Sequence, residues 1–191
     1  EDIYNKVMKI VENDYTYNKP SFYGKLGYDN QFGDDFRARL TGSWYINTGT
    51  STGTWLYGGD RAGSRYYNVL QTTAGDGSDF DGRYNARFAK ITSFQVNPFI
   101  KWKGLELFGI YELAQGHQTF ENPEDTEGTM TQLAAELIYR FGKKEQFYVA
   151  GRYNEVSGKM RESATDELNI SRINAGAGWY ITKNVLVKLE Y

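Results

Sequence analysis

Phe36-Arg37-Ala38-Arg39-Leu40-Thr41-Gly42-Ser43-Trp44-Tyr45-Ile46 is the stretch that decides the fold. Phe36, Ala38, Leu40, Gly42, Trp44 and Ile46 fall on one parity; Arg37, Arg39, Thr41, Ser43 and Tyr45 fall on the other. A period of two is the signature of a β-strand, whose successive side chains point to opposite faces. One face is wholly apolar and the other is cationic and hydroxylic.

The same alternation recurs outward from this stretch. Upstream, Phe22, Gly24, Leu26 and Tyr28 oppose Tyr23 and Lys25, and Asp29 to Asp34 reads as a turn. Downstream, residues 82–102 keep one parity, with Tyr84, Ala86, Phe88, Phe94, Val96, Pro98, Ile100 and Trp102 on the apolar side. Lys90 and Thr92 interrupt that side, and a single strand is preferred over two because parity survives the interruption. Lys103-Gly104 is a tight turn. Further strands carry Leu105 to Leu113, Leu133 to Phe141, Phe147 to Tyr153, Ile173 to Ile181 and Val185 to Tyr191. Leu168 to Ile170 breaks parity and predicts a bulge. The total is eight strands, with short turns near 30, 103, 143 and 183 and long loops at 47–81, 115–130 and 155–167. Residues 1–20 differ: Ile3, Val7, Ile10 and Tyr4, Met8, Val11 have helical spacing, so a short amphipathic helix and connector are expected there.

Composition bounds the reading. The chain has 191 residues, 22 basic and 24 acidic, so its formal net charge is -2. That balance excludes a nucleic-acid binder held by bulk charge. There is no cysteine, which removes disulfide scaffolds, thiol catalysis and thiolate zinc sites. Sixteen tyrosines and eleven phenylalanines argue against disorder. No run of about 18 apolar residues exists, so no spanning helix is expected. Membrane-barrel strands, though, need only every second residue apolar. The chain starts at Glu1 without a leader and reads as a processed or trimmed product.

Strand parity alone fits either a β-sandwich, apolar inward, or a membrane barrel, apolar outward. Three features favour the barrel: aromatics at the ends of the apolar faces, strands of ten or more residues, and apolar faces almost free of charge. All long loops fall at one end, as in membrane barrels.

The segments Asn97-Pro98-Phe99-Ile100-Lys101-Trp102-Lys103-Gly104-Leu105-Glu106-Leu107-Phe108-Gly109 and Ala175-Gly176-Ala177-Gly178-Trp179-Tyr180-Ile181-Thr182-Lys183-Asn184 resemble the strand-turn-strand hairpins of Gram-negative outer-membrane porins. They are most similar to the phosphate-selective-porin-like proteins of Bacteroidetes type. The resemblance implies an all-β, antiparallel, up-and-down transmembrane β-barrel over residues 21–191. It implies an outer-membrane location, and that the chain is the C-terminal part of a wider barrel. Loop asymmetry makes the last strand run upward, so at least one further strand is expected after Tyr191.

The expected function is a porin-type channel for passive diffusion of small hydrophilic solutes, with a tilt toward anions. Pore-lining candidates are Lys25, Arg37, Arg39, Arg83, Arg87, Lys101, Glu136, Arg140, Arg152 and Arg172, because rings of basic side chains select anions. Arg37 and Arg39 are expected to neighbour Arg83 and Arg87 as a cationic ladder in the outer half of the wall. A solvated face balanced by carboxylates is the plainer alternative. Arg61, Arg65, Tyr66 and Tyr67 would form a constriction if the long loop folds inward. The sole histidine, His117, lies near Glu112 and Glu121 without a neighbouring serine, so no enzyme is expected. The acidic loop Glu121 to Glu127 matches no calcium-loop spacing, and no metal or cofactor is expected. Expected partners are outer-membrane lipid or lipopolysaccharide, small hydrophilic or anionic solutes, and a homo-oligomer or larger outer-membrane complex, with no nucleic acid. A structural barrel subunit and a soluble glycan-binding β-sandwich remain open alternatives.

Overall fold

The computed structural model describes residues 20–47, 88–118, 127–160, 165 and 167–191. Among them all regular structure is β: β1 (Ser21–Phe32), β2 (Phe36–Asn47), β3 (Phe88–Trp102), β4 (Leu105–Gln118), β5 (Gly128–Phe141), β6 (Phe147–Lys159), β7 (Leu168–Thr182) and β8 (Val185–Glu190). They form one antiparallel sheet in the order β1-β2-β3-β4-β5-β6-β7-β8. Among the described residues no ladder joins β1 to β8. The expected helix over 1–20 lies outside them.

The short connections close one end of the sheet. Gly33 has φ 72°, and Lys103 and Glu145 each have φ 52°. Neighbouring hairpins are tied there by backbone hydrogen bonds, from Lys103 N to Asp35 O (2.9 Å), Arg140 N to Gly104 O (2.7 Å) and Tyr180 N to Gln146 O (2.8 Å). The opposite end carries the long connections. Two are shorter than expected, since β4 runs on through Gln118, β5 begins at Gly128 and β6 reaches Lys159. Alternation in those stretches is blurred because their inner positions are small or apolar rather than charged.

Two local expectations are corrected. β7 pairs with β6 without a shift through Gly158↔Leu168, so Leu168 to Ile170 holds no bulge. Leu168 and Ile170 lie on the same parity as Arg172 and pack against an apolar cluster. The irregularity in β7 falls instead between Tyr180 and Thr182. Conversely, β3 carries a register shift between Phe88 and Lys90 opposite Gln118 and His117. One extra residue reverses the face of everything before it. Phe88 is therefore buried with Ile91, not displayed with Phe94.

The two faces of the sheet are unequal in an unusual sense. The exposed one is apolar: Leu40, Phe94, Val96, Ile100, Leu107, Leu133, Val149, Ile173 and Ile181 are all exposed, with Leu137 at 49%. The face carrying Arg39, Glu106, Arg140 and Arg152 is half-buried. A soluble sheet does the reverse. The apolar band is bounded by polar residues on the long-loop side, namely Thr92, Gln115, Thr131, Glu155 and Ser171. Aromatic rings mark its short-turn side. Tyr139 and Phe141 (6.0 Å), Phe141 and Phe147 (5.7 Å), and Phe147 and Trp179 (5.9 Å) stack in succession across β5, β6 and β7.

The band also runs obliquely. Its long-loop edge passes Trp44, Phe94 and Leu113, which are in register. Leu113 then pairs with Thr131, so the edge steps two residues to Leu133; Leu133 pairs with Glu155, so it steps two more to Tyr153, level with Ile173. Four residues at ~3.4 Å over five inter-strand steps of ~4.8 Å give a slant of about 30°. Strands of membrane barrels tilt by roughly 35–45°.

Close packing within the sheet depends on a few glycines. The Trp44 ring lies where a Cβ on Gly24 would sit, and Tyr148 covers Gly178 in the same way. Pro98 cannot donate to a ladder; its ring fits against Gly109, where a Cβ would lie 2.9 Å from Pro98 Cγ.

Candidate functional site

The half-buried face is where charged side chains converge, and its composition is layered from one end to the other. At the short-turn end, Glu106 of β4 accepts from Arg140 Nε of β5 at 3.0 Å and sits 3.3 Å from Lys101 Nζ of β3. Lys101 also lies 3.9 Å from Glu145. Arg140 rests over the Tyr148 ring at 5.7 Å, and Tyr148 tilts against Tyr180 at 6.2 Å. Lys101, Glu106, Arg140, Glu145 and Tyr180 line a cavity of about 940 Å³ that also meets Lys143, Lys144 and Lys183. On the first hairpin, Arg37 holds Asp29 with two bonds, Nε to Oδ1 at 2.9 Å and Nη2 to Oδ2 at 2.6 Å. Arg39 covers the Phe99 ring at 5.1 Å.

The middle layer is polar. Arg152 pairs with Glu136 at 2.5 Å across β6 and β5. Ser93 Oγ donates to Glu112 at 3.2 Å. Glu112 is only 5% exposed and Asn154 3%. Asn154 Nδ2 has no hydrogen-bond partner among the described residues. A second cavity of about 440 Å³ runs beside this layer past Glu136, Arg152, Asn174 and Lys188.

The long-loop end is apolar. Phe88, Ile91, Ala114, Met130 and Val156 form a buried cluster against which Tyr45, Met160, Leu168 and Ile170 pack. All of it stands on the parity that carries arginines lower down.

The pore-lining candidates fare unevenly. Lys25, Arg37, Arg39, Lys101, Glu136, Arg140, Arg152 and Arg172 share this face by register. Arg83, Arg87, Arg61, Arg65, Tyr66 and Tyr67 lie outside the described residues. The expected ladder with Arg83 and Arg87 therefore lies outside the described residues; of it only Arg37 and Arg39 are described, and they stand at the short-turn end. Register sets Arg37 opposite Lys101 and Arg39 opposite Phe99, at the short-turn end, whereas β3 only begins at Phe88 at the other end. Adjacent strands are antiparallel, so the start of β2 meets the finish of β3.

Sequence reading placed carboxylates on this face but not their individual pairings, and it missed the apolar layer. Glu106 and Arg140 are 34 positions apart, and only register brings them together. The apolar layer did leave a trace: Ala114, Met130, Val156 and Ile170 sit on the polar parity of their own strands, each near a loop. His117 pairs with Glu127 at 3.2 Å. Among the described residues no group of three acidic or histidine side chains is arranged to hold a metal.

No family model, curated protein or solved structure matches the chain. The reading of its function therefore rests on the arrangement of these two faces.

Proposed function

We propose that the sheet is the wall of a transmembrane β-barrel of porin type in the outer membrane of a Gram-negative bacterium, passing small hydrophilic solutes by diffusion. The observation that carries this reading is the inverted sheet: an exposed apolar band backed by a half-buried charged face. Exposed large aliphatic and aromatic side chains across eight adjacent strands far exceed the apolar patches that soluble monomers tolerate. Lipid accounts for them without a second sheet, and the described residues contain only one. The oblique band and the stacked rings at one rim support the same reading, because barrel strands tilt and interfacial rings anchor at headgroup depth.

Part of the wall's positive charge is paired. Asp29, Glu106, Glu136 and Glu190 each hold a basic partner, so fewer uncompensated charges face the lumen than the count of arginines suggests. The anion preference rests on what remains, chiefly Lys25 and the lysines of the short turns. Conductance of the intact protein in planar bilayers tests the channel, with reversal potentials under a salt gradient reading its charge preference. Discrete conductance steps are expected. Correctly inserted protein that never conducts would overturn the channel and leave a structural role in a larger outer-membrane complex.

A further inference from the structure

The short-turn rim joins two features on the same strands. The stacked rings of Tyr139, Phe141, Phe147 and Trp179 stand on the outward side of β5, β6 and β7. Phe141 pairs with Phe147 and Phe147 with Trp179, so those three rings are level. Directly beyond them, the β5–β6 and β7–β8 turns carry Lys143, Lys144 and Lys183, all exposed. Among the described residues none of these three lysines pairs with a carboxylate, whereas Lys101, Lys103 and Arg140 each do. The β1–β2 turn carries Asp34 and Asp35 instead. The two lysine-bearing turns are held side by side by the bond from Tyr180 N to Gln146 O (2.8 Å). Between them lies the cavity of about 940 Å³, and its lining includes outward Trp179 and Ile181 together with the three lysines. That lining joins the apolar face of the sheet to the cationic turns.

We infer that the β5–β6 and β7–β8 turns form a binding site for the headgroup of an anionic phospholipid. This rests on the lipid-facing sheet of the proposed function, though not on conduction. The lipid phosphate lies against Lys143, Lys144 and Lys183, and the acyl chains run up over Trp179 and Phe147. Depth agrees with that placement. Interfacial rings sit at headgroup level, and the headgroup layer is ~5–8 Å deep on each side of the hydrocarbon. The lysines follow their rings by two to four residues, so their backbone lies at most ~7–13 Å beyond, and lysine stems reach back along apolar surface. Charge selects the lipid. A zwitterionic headgroup brings its own ammonium against the three lysines, and an anionic one does not. Each lysine near an anionic lipid surface raises occupancy about fivefold. Phosphate seated there also neutralises the turn lysines, so the channel's tilt toward anions weakens in an anionic bilayer.

The intact protein, mixed with equimolar phosphatidylglycerol and phosphatidylcholine in mild detergent, is weighed by native mass spectrometry. Phosphatidylglycerol should be retained about fivefold or more over phosphatidylcholine, one lysine's worth at the least. The triple variant Lys143→Gln, Lys144→Gln, Lys183→Gln should retain the two equally, while Lys25→Gln, on the inner parity of β1, keeps the preference. No preference in the unaltered protein, or the same preference in the triple variant, would overturn the site. Displacement of the lipid by millimolar inorganic phosphate, but not by chloride at equal ionic strength, would assign the lysines to a free oxyanion and overturn the lipid assignment. Vesicle insertion of the same preparation separates the two readings. Protein that inserts and conducts without lipid preference loses the site alone, whereas protein that neither inserts nor retains lipid loses the membrane reading and the site with it.

Discussion

Leu137→Arg separates a lipid-facing sheet from a water-facing one by sign and size. Leu137 is central among the outward positions of β5, with Leu133 and Phe141 each four residues away. Eight residues at ~3.4 Å cover about 27 Å along the strand, or about 21 Å in height at a barrel tilt of ~40°, near the ~25 Å of a membrane barrel's apolar band. Leu137 then sits about 10 Å from either rim, close to the midplane. An arginine there costs roughly 2–4 kcal/mol, a factor of about 30 to 800 in the folding equilibrium. Thr131 has the same outward parity but lies beyond the band's edge, so Thr131→Arg should cost only about 0–1 kcal/mol. Urea titration of the protein folded into vesicles, followed by the fluorescence of its four tryptophans, measures both. If the sheet instead faced water, swapping a half-exposed leucine for arginine would fall within about 0.5 kcal/mol of neutral. Equal, small costs at the two positions would refute the lipid-facing assignment.

Other variants probe the inner face and the packing. Glu106→Gln removes the carboxylate shared by Arg140 and Lys101; it should cost about 1–3 kcal/mol in vesicle unfolding and shift the reversal potential toward anions. Arg140→Gln added to it should reverse most of that potential shift, because the two changes cancel in charge. Gly24→Leu pushes into the Trp44 ring and should destabilise by about 1–3 kcal/mol, read as a lower urea midpoint with altered tryptophan emission. Deleting Ala89 removes the extra residue of β3; alternation from Ile91 then keeps Phe88 inward opposite Gln118, so the buried cluster should persist, read as a urea midpoint lowered by no more than about 1 kcal/mol in stability.

Much of the architecture was legible because parity is a local property. Arg37 to Ile46, or Leu105 to Leu113, declares its two faces without reference to any other segment. The alternation of short turns and long loops needed only counting. What stayed hidden depends on relations between segments. The pairing of Glu106 with Arg140 follows from β4–β5 register, and that of Asp29 with Arg37 from a diagonal across the first turn. Arg37 was expected in the outer half of the wall, but sequence adjacency of strands says nothing about height, and register sets it opposite Lys101 at the short-turn end. At Phe88 a single inserted residue reversed the parity, and a phenylalanine reads as outward or inward with equal ease. Leu168 and Ile170 misled for the opposite reason: they look like a broken pattern only if every inner position is taken to be polar.

The ring stack from Tyr139 through Phe141 and Phe147 to Trp179 has a mechanical consequence. Four stacked rings across three strands cannot shift one at a time, so in the proposed barrel the short-turn rim would act as a fixed waterline. The opposite rim, edged by separate threonine, serine, glutamine and glutamate side chains, has no such coupling. On the proposed lipid-facing reading, a bilayer thicker or thinner than the band is accommodated on the long-loop side, each strand shifting its own boundary, while the stacked side holds its level.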